Sequence, residues 1–282
     1  MDGLSKGMRH ARRWSMSIVA LLMAFALMML GGCGIATGSA GNKGTLKVGV
    51  RADIIGFGYL NEKTKKYYGM EIDLANEMAS RMGYSDVEFV TVTPENRKEM
   101  LQDGKVDALV ACYSISDTRK KNFDFSPSYY TNSVLMVVQN SSLIEDVNGL
   151  KGGKIGTMAG SNTAPMLAQK MVELGFSDGE VRQANEDNTD VQFDNYRLIQ
   201  YPSYQEVSDA LEEGLVDGMA MDGAIAKTYM DDERHTLPDF SIDPQEYGVA
   251  TQKGSELSGQ VKDAVQSMLD DGTIDEFIDK WN

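Results

Sequence analysis

Two cysteines, two histidines, two tryptophans and six prolines are all that 282 residues contain of those four types, and the shortages remove whole classes of answer. Two cysteines allow one disulfide at most, so the chain is not a small scaffold held together by cross-links. The histidines, His10 and His235, lie far apart, and Cys112 has no histidine in its motif to form a nucleophile pair. Neither a metal-ligand cluster nor a phosphate-binding glycine loop is found, so no catalytic residue, metal or cofactor is assigned. Positive charge is scarce too. Residues 1–32 hold four of the 27 Lys and Arg and one of the 42 Asp and Glu, which leaves 23 against 41, or −18, on residues 33–282. Such a charge repels nucleic acid, and any anion site must be built from locally placed cations. A long hydrophobic run is missing as well: the apolar stretch over 18–30 ends at Gly31-Gly32, short of the roughly 20 residues that span a bilayer.

What is present begins at the N-terminus. Lys6, Arg9, Arg12 and Arg13 precede the apolar stretch, in the layout of an export signal. Leu30-Gly31-Gly32-Cys33 follows and resembles the lipobox of bacterial lipoproteins. That resemblance implies removal of residues 1–32, lipid attachment at Cys33, and a place on the extracytoplasmic face of the cell membrane. Residues 33–45 are small, polar and glycine-rich, as suits a flexible tether. With Cys33 lipidated, Cys112 stands alone and stability must come from the core. The remaining chain is long enough for one large core or two medium ones.

From there strands and helices alternate. The pattern predicts strands over 46–50, 87–92, 106–111 and 133–139, with helices over 69–81 and 96–102. It starts afresh with a strand over 154–158, a helix over 163–174, a strand over 196–201, a helix over 203–213 and a strand over 216–221. Residues 177–195, acidic and without periodicity, are expected to form a surface loop. A strand over 247–251 and two helices near 257–269 and 274–281 complete the chain. This βα alternation means an α/β fold with parallel or mixed sheets flanked by helices.

The segments LKVGV (46–50), GMEIDLA (69–75), GKVD (104–107), SISDTRKK (114–121), FDFS (123–126), Tyr129-Tyr130, GSNT (160–163), VDGMAMD (216–222) and EYGVA (246–250) occur in the order and spacing of the family 3 extracellular solute-binding proteins. The chain resembles these polar amino-acid binders, which feed ABC permeases. The resemblance implies a two-lobed, periplasmic-binding-protein-like fold of type II, in which two α/β lobes are joined by two hinge strands. Lobe 1 would comprise 46–138 plus 248–282 and lobe 2 139–247, with hinges near 137–140 and 246–251. A monomer of this kind grips an amino acid as its lobes close and passes it to the permease's transmembrane subunits; it is not an enzyme.

A buried zwitterion needs both charges paired. In the family pattern Arg119, with Ser114 before it, matches the α-carboxylate site, although on residues alone Arg119 also fits a surface charge beside Lys120 and Lys121. Asn162 and Thr163 stand between a strand and a helix, where free amides favour an anion, or equally where a plain N-cap is needed. Asp222 matches the ammonium acceptor, with helix capping as its rival. Phe57 and Tyr59 resemble an aromatic wall over the ligand stem, or else pack their lobe. Arg51 and Arg97 match positions that read the side chain, Arg97 having a capping role or a bridge to Glu95 as alternatives. Cys112 replaces the usual hydroxyl residue, and Tyr204 reaches the side-chain end from lobe 2. Three arginines against Asp222 leave +2, which implies glutamate or aspartate, with glutamine as the chief competitor.

Overall fold

Residues 43–281 are described by the computed structural model. The signal segment 1–32, Cys33 and tether residues 34–42 lie outside the described residues.

Strand β1 (Thr45–Val50) buries Leu46 and Val48 while Lys47 faces solvent, the alternation expected of a strand with one covered face. A small antiparallel sheet follows, made of β2 (Asp53–Ile54), β3 (Gly58–Asn61) and β4 (Lys66–Tyr68). Helix α1 (Met70–Arg81) buries Met70, Leu74, Ala75 and Met78 at helical spacing. It ends at Gly83, φ 83°, whose N–H reaches the Ser80 carbonyl at 3.0 Å while Tyr84 N–H reaches that of Ala79 at 3.0 Å. Only a residue at ease with positive φ closes a helix in this way. Next come β5 (Asp86–Thr91), α2 (Arg97–Gln102), β6 (Ala108–Val110), the single-turn α3 (Asp117–Lys120) and β7 (Phe123–Phe125).

The chain then builds a second sheet. Its elements are β8 (Tyr130–Gln139), β9 (Lys154–Met158), α4 (Thr163–Glu173), β10 (Gln183–Ala184), β11 (Asp190–Gln192), β12 (Arg197–Tyr201), α5 (Tyr204–Glu212), β13 (Gly218–Asp222), α6 (Gly223–Tyr229) and β14 (Arg234–Tyr247). Strand order is β10-β11-β12-β9-β13-β8-β14. The acidic stretch read as loop thus holds two short strands, with Asp190 ion-paired to Arg197 across the β11–β12 ladder. After β14 the chain returns: β15 (Ala250–Gln252) joins the first sheet, giving β5-β1-β6-β15-β7, and α7 (Glu256–Asp270) and α8 (Thr273–Trp281) cover it. Pairing is parallel for β1 with β5 and β6, and antiparallel where β15 enters. Among the described residues no helix is long and apolar enough to cross a membrane.

One expected boundary is corrected. All of β8 pairs in the second sheet, Val134–Val137 against β13 and Tyr130–Gln139 against β14. The first crossing between lobes therefore falls at 126–129, ahead of the 137–140 expected, because Val134, Met136 and Val138 bury into the second lobe's own core. Gly248 and Val249 make the second crossing. Backbone bonds tie the two crossings together, Tyr129 N–H to Tyr247 O at 2.9 Å and Ser126 N–H to Val249 O at 2.9 Å.

Gly69 carries the tightest steric demand. At φ 130° a Cβ there would stand 2.0 Å from the Phe57 carbonyl oxygen. Gly69→Ala is expected to cost at least about 2 kcal/mol in denaturant unfolding. Gly259→Ala, exposed in the first turn of α7 with nothing within 4 Å of its Cβ, is expected to add up to about 1 kcal/mol. Equal responses of the two variants would contradict this account of the α1 start.

Candidate functional site

Three arginines converge where the first sheet's loops meet the second lobe. Arg97, in the first turn of α2, is 3% exposed; its Nη1 donates to the Ala111 carbonyl at 2.8 Å and its Nη2 to the Gly160 carbonyl at 3.3 Å. Arg119, in α3, donates from Nη1 to the Ser114 carbonyl at 2.9 Å and from Nη2 to the same Gly160 carbonyl at 3.4 Å. Gly160 belongs to the β9–α4 turn, so both bonds to it cross between lobes. That turn lies close: a Cβ on Gly160, at φ 70°, would meet the Pro94 backbone at 2.9 Å. Burial and the neighbouring charges of Arg119 and Arg51 lower the Arg97 pKa to about 10. Burial lowers that of Arg119 as well.

Arg51 behaves differently. It is 3% exposed and holds Asp53 with two bonds, Nε to Oδ1 at 2.9 Å and Nη2 to Oδ2 at 2.6 Å, while its guanidinium lies 5.9 Å from the centroid of the Tyr204 ring. Burial opposes its charge, yet Asp53 more than compensates and raises its pKa. The count of three unneutralised arginines is thereby corrected: Arg51 already has its carboxylate, two positions along the chain.

Asp222 sits at the end of β13, 5% exposed. Its Oδ2 accepts from the Tyr247 hydroxyl, and its Oδ1 has no partner. It does not cap α6 with its side chain. Burial raises its pKa against the pull of Tyr247, Arg97 and Arg119. Nor does Asn162 cap α4: its amide turns to Met166 Sδ at 3.0 Å, and Ser161 Oγ accepts from Thr163 N–H at 3.3 Å. The capping roles that competed for Asp222 and Asn162 are not made. Likewise Arg97 forms no ion pair with Glu95 among the described residues, and Arg119 turns inward, away from Lys120 and Lys121.

Beneath the arginines lies Glu71, fully buried. Its Oε1 accepts from Cys112 N–H at 2.6 Å and from the Tyr129 hydroxyl, and its Oε2 has no partner. Cys112 adopts φ 45°, unusual for a side chain with a Cβ, and its reduced thiol is buried. Burial and Glu71 push that thiol's pKa well up, so it is an inert neutral group here.

The structure brings together Arg51, Arg97, Cys112, Ser114, Arg119, Asp222 and Tyr204. Thr163 is 1% exposed at the α4 start, on the turn that both arginines touch. Phe57 packs edge-on against Tyr130 and Tyr247 at 5.0 and 6.0 Å, beside the crossings. Tyr59 is corrected: it is 38% exposed in β3 of the small outer sheet, paired opposite Asp53 and Tyr68, whereas buried Phe57 lies in the turn that precedes that strand. Sequence reasoning missed Asp53, Glu71, Tyr113 and Tyr247. Asp53 was detectable as an acid two residues from Arg51. Glu71 and Tyr247 lay inside quoted motifs and Tyr113 directly precedes one, but the two tyrosines look like ordinary core aromatics.

Residues 46–282 match the family described as bacterial extracellular solute-binding proteins, family 3. An ABC transporter glutamine-binding protein of Bacillus subtilis is 29% identical over 93% of this chain and 95% of its own length. A glutamate-binding protein of Corynebacterium glutamicum is 26% identical over 95% of this chain and 91% of its own. Among solved structures, an ancestral amino-acid-binding protein described as a precursor of cyclohexadienyl dehydratase superposes with a TM-score of 0.67 at 26% identity, covering 84% of this chain and 94% of that one. The two-lobed α/β arrangement is that of type II periplasmic binding proteins.

Burial raises the Glu71 pKa above its ordinary 4.5, against the bonds from Tyr129 and Cys112. Below pH 4.5 the group is neutral in both folded and unfolded chains; above it the unfolded chain ionises first, so stability falls as pH rises towards the folded pKa. Glu71→Gln keeps an oxygen for both donors and has no proton to lose. Its stability relative to the parent is expected to rise between pH 4 and pH 7 in denaturant titrations, and a constant difference would refute an elevated Glu71 pKa.

Proposed function

Because this chain belongs to the family 3 bacterial extracellular solute-binding proteins, we propose that it captures an acidic amino acid, glutamate or aspartate, and delivers it to an ABC permease by closure of its lobes. One observation carries the choice of ligand. Asp222 Oδ1 and Arg97 Nε are a buried acceptor and a buried donor without partners, in groups close enough for Arg97 to pull down the Asp222 pKa. Unmet buried polar atoms of opposite kind call for a ligand bearing both charges. The α-carboxylate goes to Arg119, supported by the amides at the α4 start, and the ammonium goes to Asp222 Oδ1. Arg97 is left for a side-chain carboxylate. With Arg51 neutralised by Asp53, two arginines against Asp222 leave a surplus of +1, and one acidic side chain cancels it.

Glutamine is the second reading, favoured by the same Arg51–Asp53 pair, which lowers the positive surplus that an acid would need. Lipid attachment at Cys33, on the extracytoplasmic face, is part of this proposal, as is a monomeric binding unit. The ligand is bound and released unchanged.

A thermal-shift screen of the twenty amino acids tests the reading, since a ligand at one hundred times its Kd adds about 2.7 kcal/mol of stability. Glutamate or aspartate should give the largest shift and be recovered chemically unchanged. Arg119→Ala should abolish it, because stripping one partner from a buried charge pair costs about 2–5 kcal/mol. Arg97→Gln should move the preference towards glutamine. The largest shift coming from arginine, lysine or histidine would show the charge count to be wrong.

A further inference from the structure

Among the described residues, neither Arg97 nor Arg119 reaches a carboxylate at ion-pair distance, yet their guanidiniums are held side by side. Carbonyls of Ala111, Ser114 and Gly160 take some of their N–H groups, but carbonyls carry no net charge with which to offset the repulsion. One further contact is shared by both. The Cζ of Arg119 lies 4.2 Å from the centroid of the Tyr113 ring, and that of Arg97 lies 4.5 Å from the same centroid. Tyr113 is 3% exposed and is itself fixed by Phe123 and Phe125, at ring distances of 6.1 and 5.7 Å. Its carbonyl accepts from Gly248 N–H at 3.2 Å, which ties it to the second crossing between lobes. An aromatic ring's negative face attracts a guanidinium without neutralising it. A carboxylate in that place would remove the charge that a ligand needs.

We propose that Tyr113 is a positioning residue of the ligand site, whose ring steadies both guanidiniums at once so that the cleft presents two uncancelled cations to the two carboxylates of an acidic amino acid. This rests on the reading that the cleft takes such a ligand. The competing account makes Tyr113 core filler between Phe123 and Phe125, in which case any side chain of comparable size would serve.

Isothermal titration with glutamate separates the two accounts. Tyr113→Phe keeps the ring and should bind within threefold of the parent. Tyr113→Leu removes the ring and should weaken binding roughly tenfold or more, the equivalent of about 1.4 kcal/mol, within the range of one or two buried cation–π contacts. Pentafluorophenylalanine at position 113 keeps the ring's shape and reverses its face charge; it should lose affinity as the leucine variant does, and it covers the case in which leucine disturbs folding. Combining Tyr113→Leu with Arg119→Lys should cost less than the sum of the two, because both act through one contact. Binding by the fluorinated variant at the parent's strength, or an equal loss in Tyr113→Phe and Tyr113→Leu, would overturn the proposal. If the parent protein binds neither glutamate nor aspartate, the ligand reading falls, whereas a parent that binds one of them while the ring series, titrated with that ligand, stays flat sinks only the role given to Tyr113.

Discussion

Holding positive charge out of water without cancelling it is the constraint around which this structure is organised. A guanidinium moved into a low-dielectric interior costs several kcal/mol unless its donors are met. Arg97 and Arg119 meet part of that cost with backbone carbonyls, part with the face of Tyr113, and part with the field of Asp222. The carbonyls and the ring leave the cationic charge in place, and Asp222 forms no ion pair with either arginine among the described residues. Arg51 shows the other solution: Asp53 clasps it through two bonds, and its charge is spent before any ligand arrives. The difference between these two treatments of the same side chain separates two arginines without an ion pair among the described residues from one whose charge is matched within its own loop.

That electrostatic arrangement is inseparable from the two-lobe topology. Arg97 and Arg119 come from the first lobe, while Asp222 and Gly160 come from the second. Tyr247, at the end of β14, joins them: its hydroxyl binds Asp222, its carbonyl accepts from Tyr129 N–H, and it stacks on Tyr130 at 5.9 Å. The crossings are thus packed against Asp222 itself. A ligand that engages both lobes of such a fold biases the population of closed molecules by its differential affinity, and the two crossings are the segments that join the lobes here.

Much of the fold was legible because burial follows periodicity. Strands β1, β9 and β13 and helices α1, α4 and α5 show the expected buried faces, and Gly83 stops α1 as its φ demands. Strand β14 was not legible. It contains Pro238 and Pro244, which lack the N–H a ladder requires, and its pairing with β8 shifts register between Thr236 and Ser241 and again between Ile242 and Gln245. The first crossing was misplaced for a related reason: a continuous apolar run over 134–138 shows that a strand is buried and does not show in which lobe. At the site, residue identity pointed to arginines that the structure brings together, but most of their partners were hidden. Spacing puts Asp53 within reach of Arg51, but it cannot reveal that Glu71, in the first turn of α1, reaches Cys112 and Tyr129.

The contacts at Gly160 show how such a site can favour its ligand over itself. Its single carbonyl takes a bond from each arginine at 3.3 and 3.4 Å, at the long end of the hydrogen-bond range. A carboxylate would offer the same donors shorter, charge-assisted bonds, roughly twice as strong as neutral ones. Exchanging the weak for the strong needs no new side chain, only a ligand whose anionic groups lie where the guanidiniums are already held. Interactions between the lobes that are poor without a ligand's charge and good with it are what make closure depend on occupancy, and so allow a binding protein to report that it is loaded.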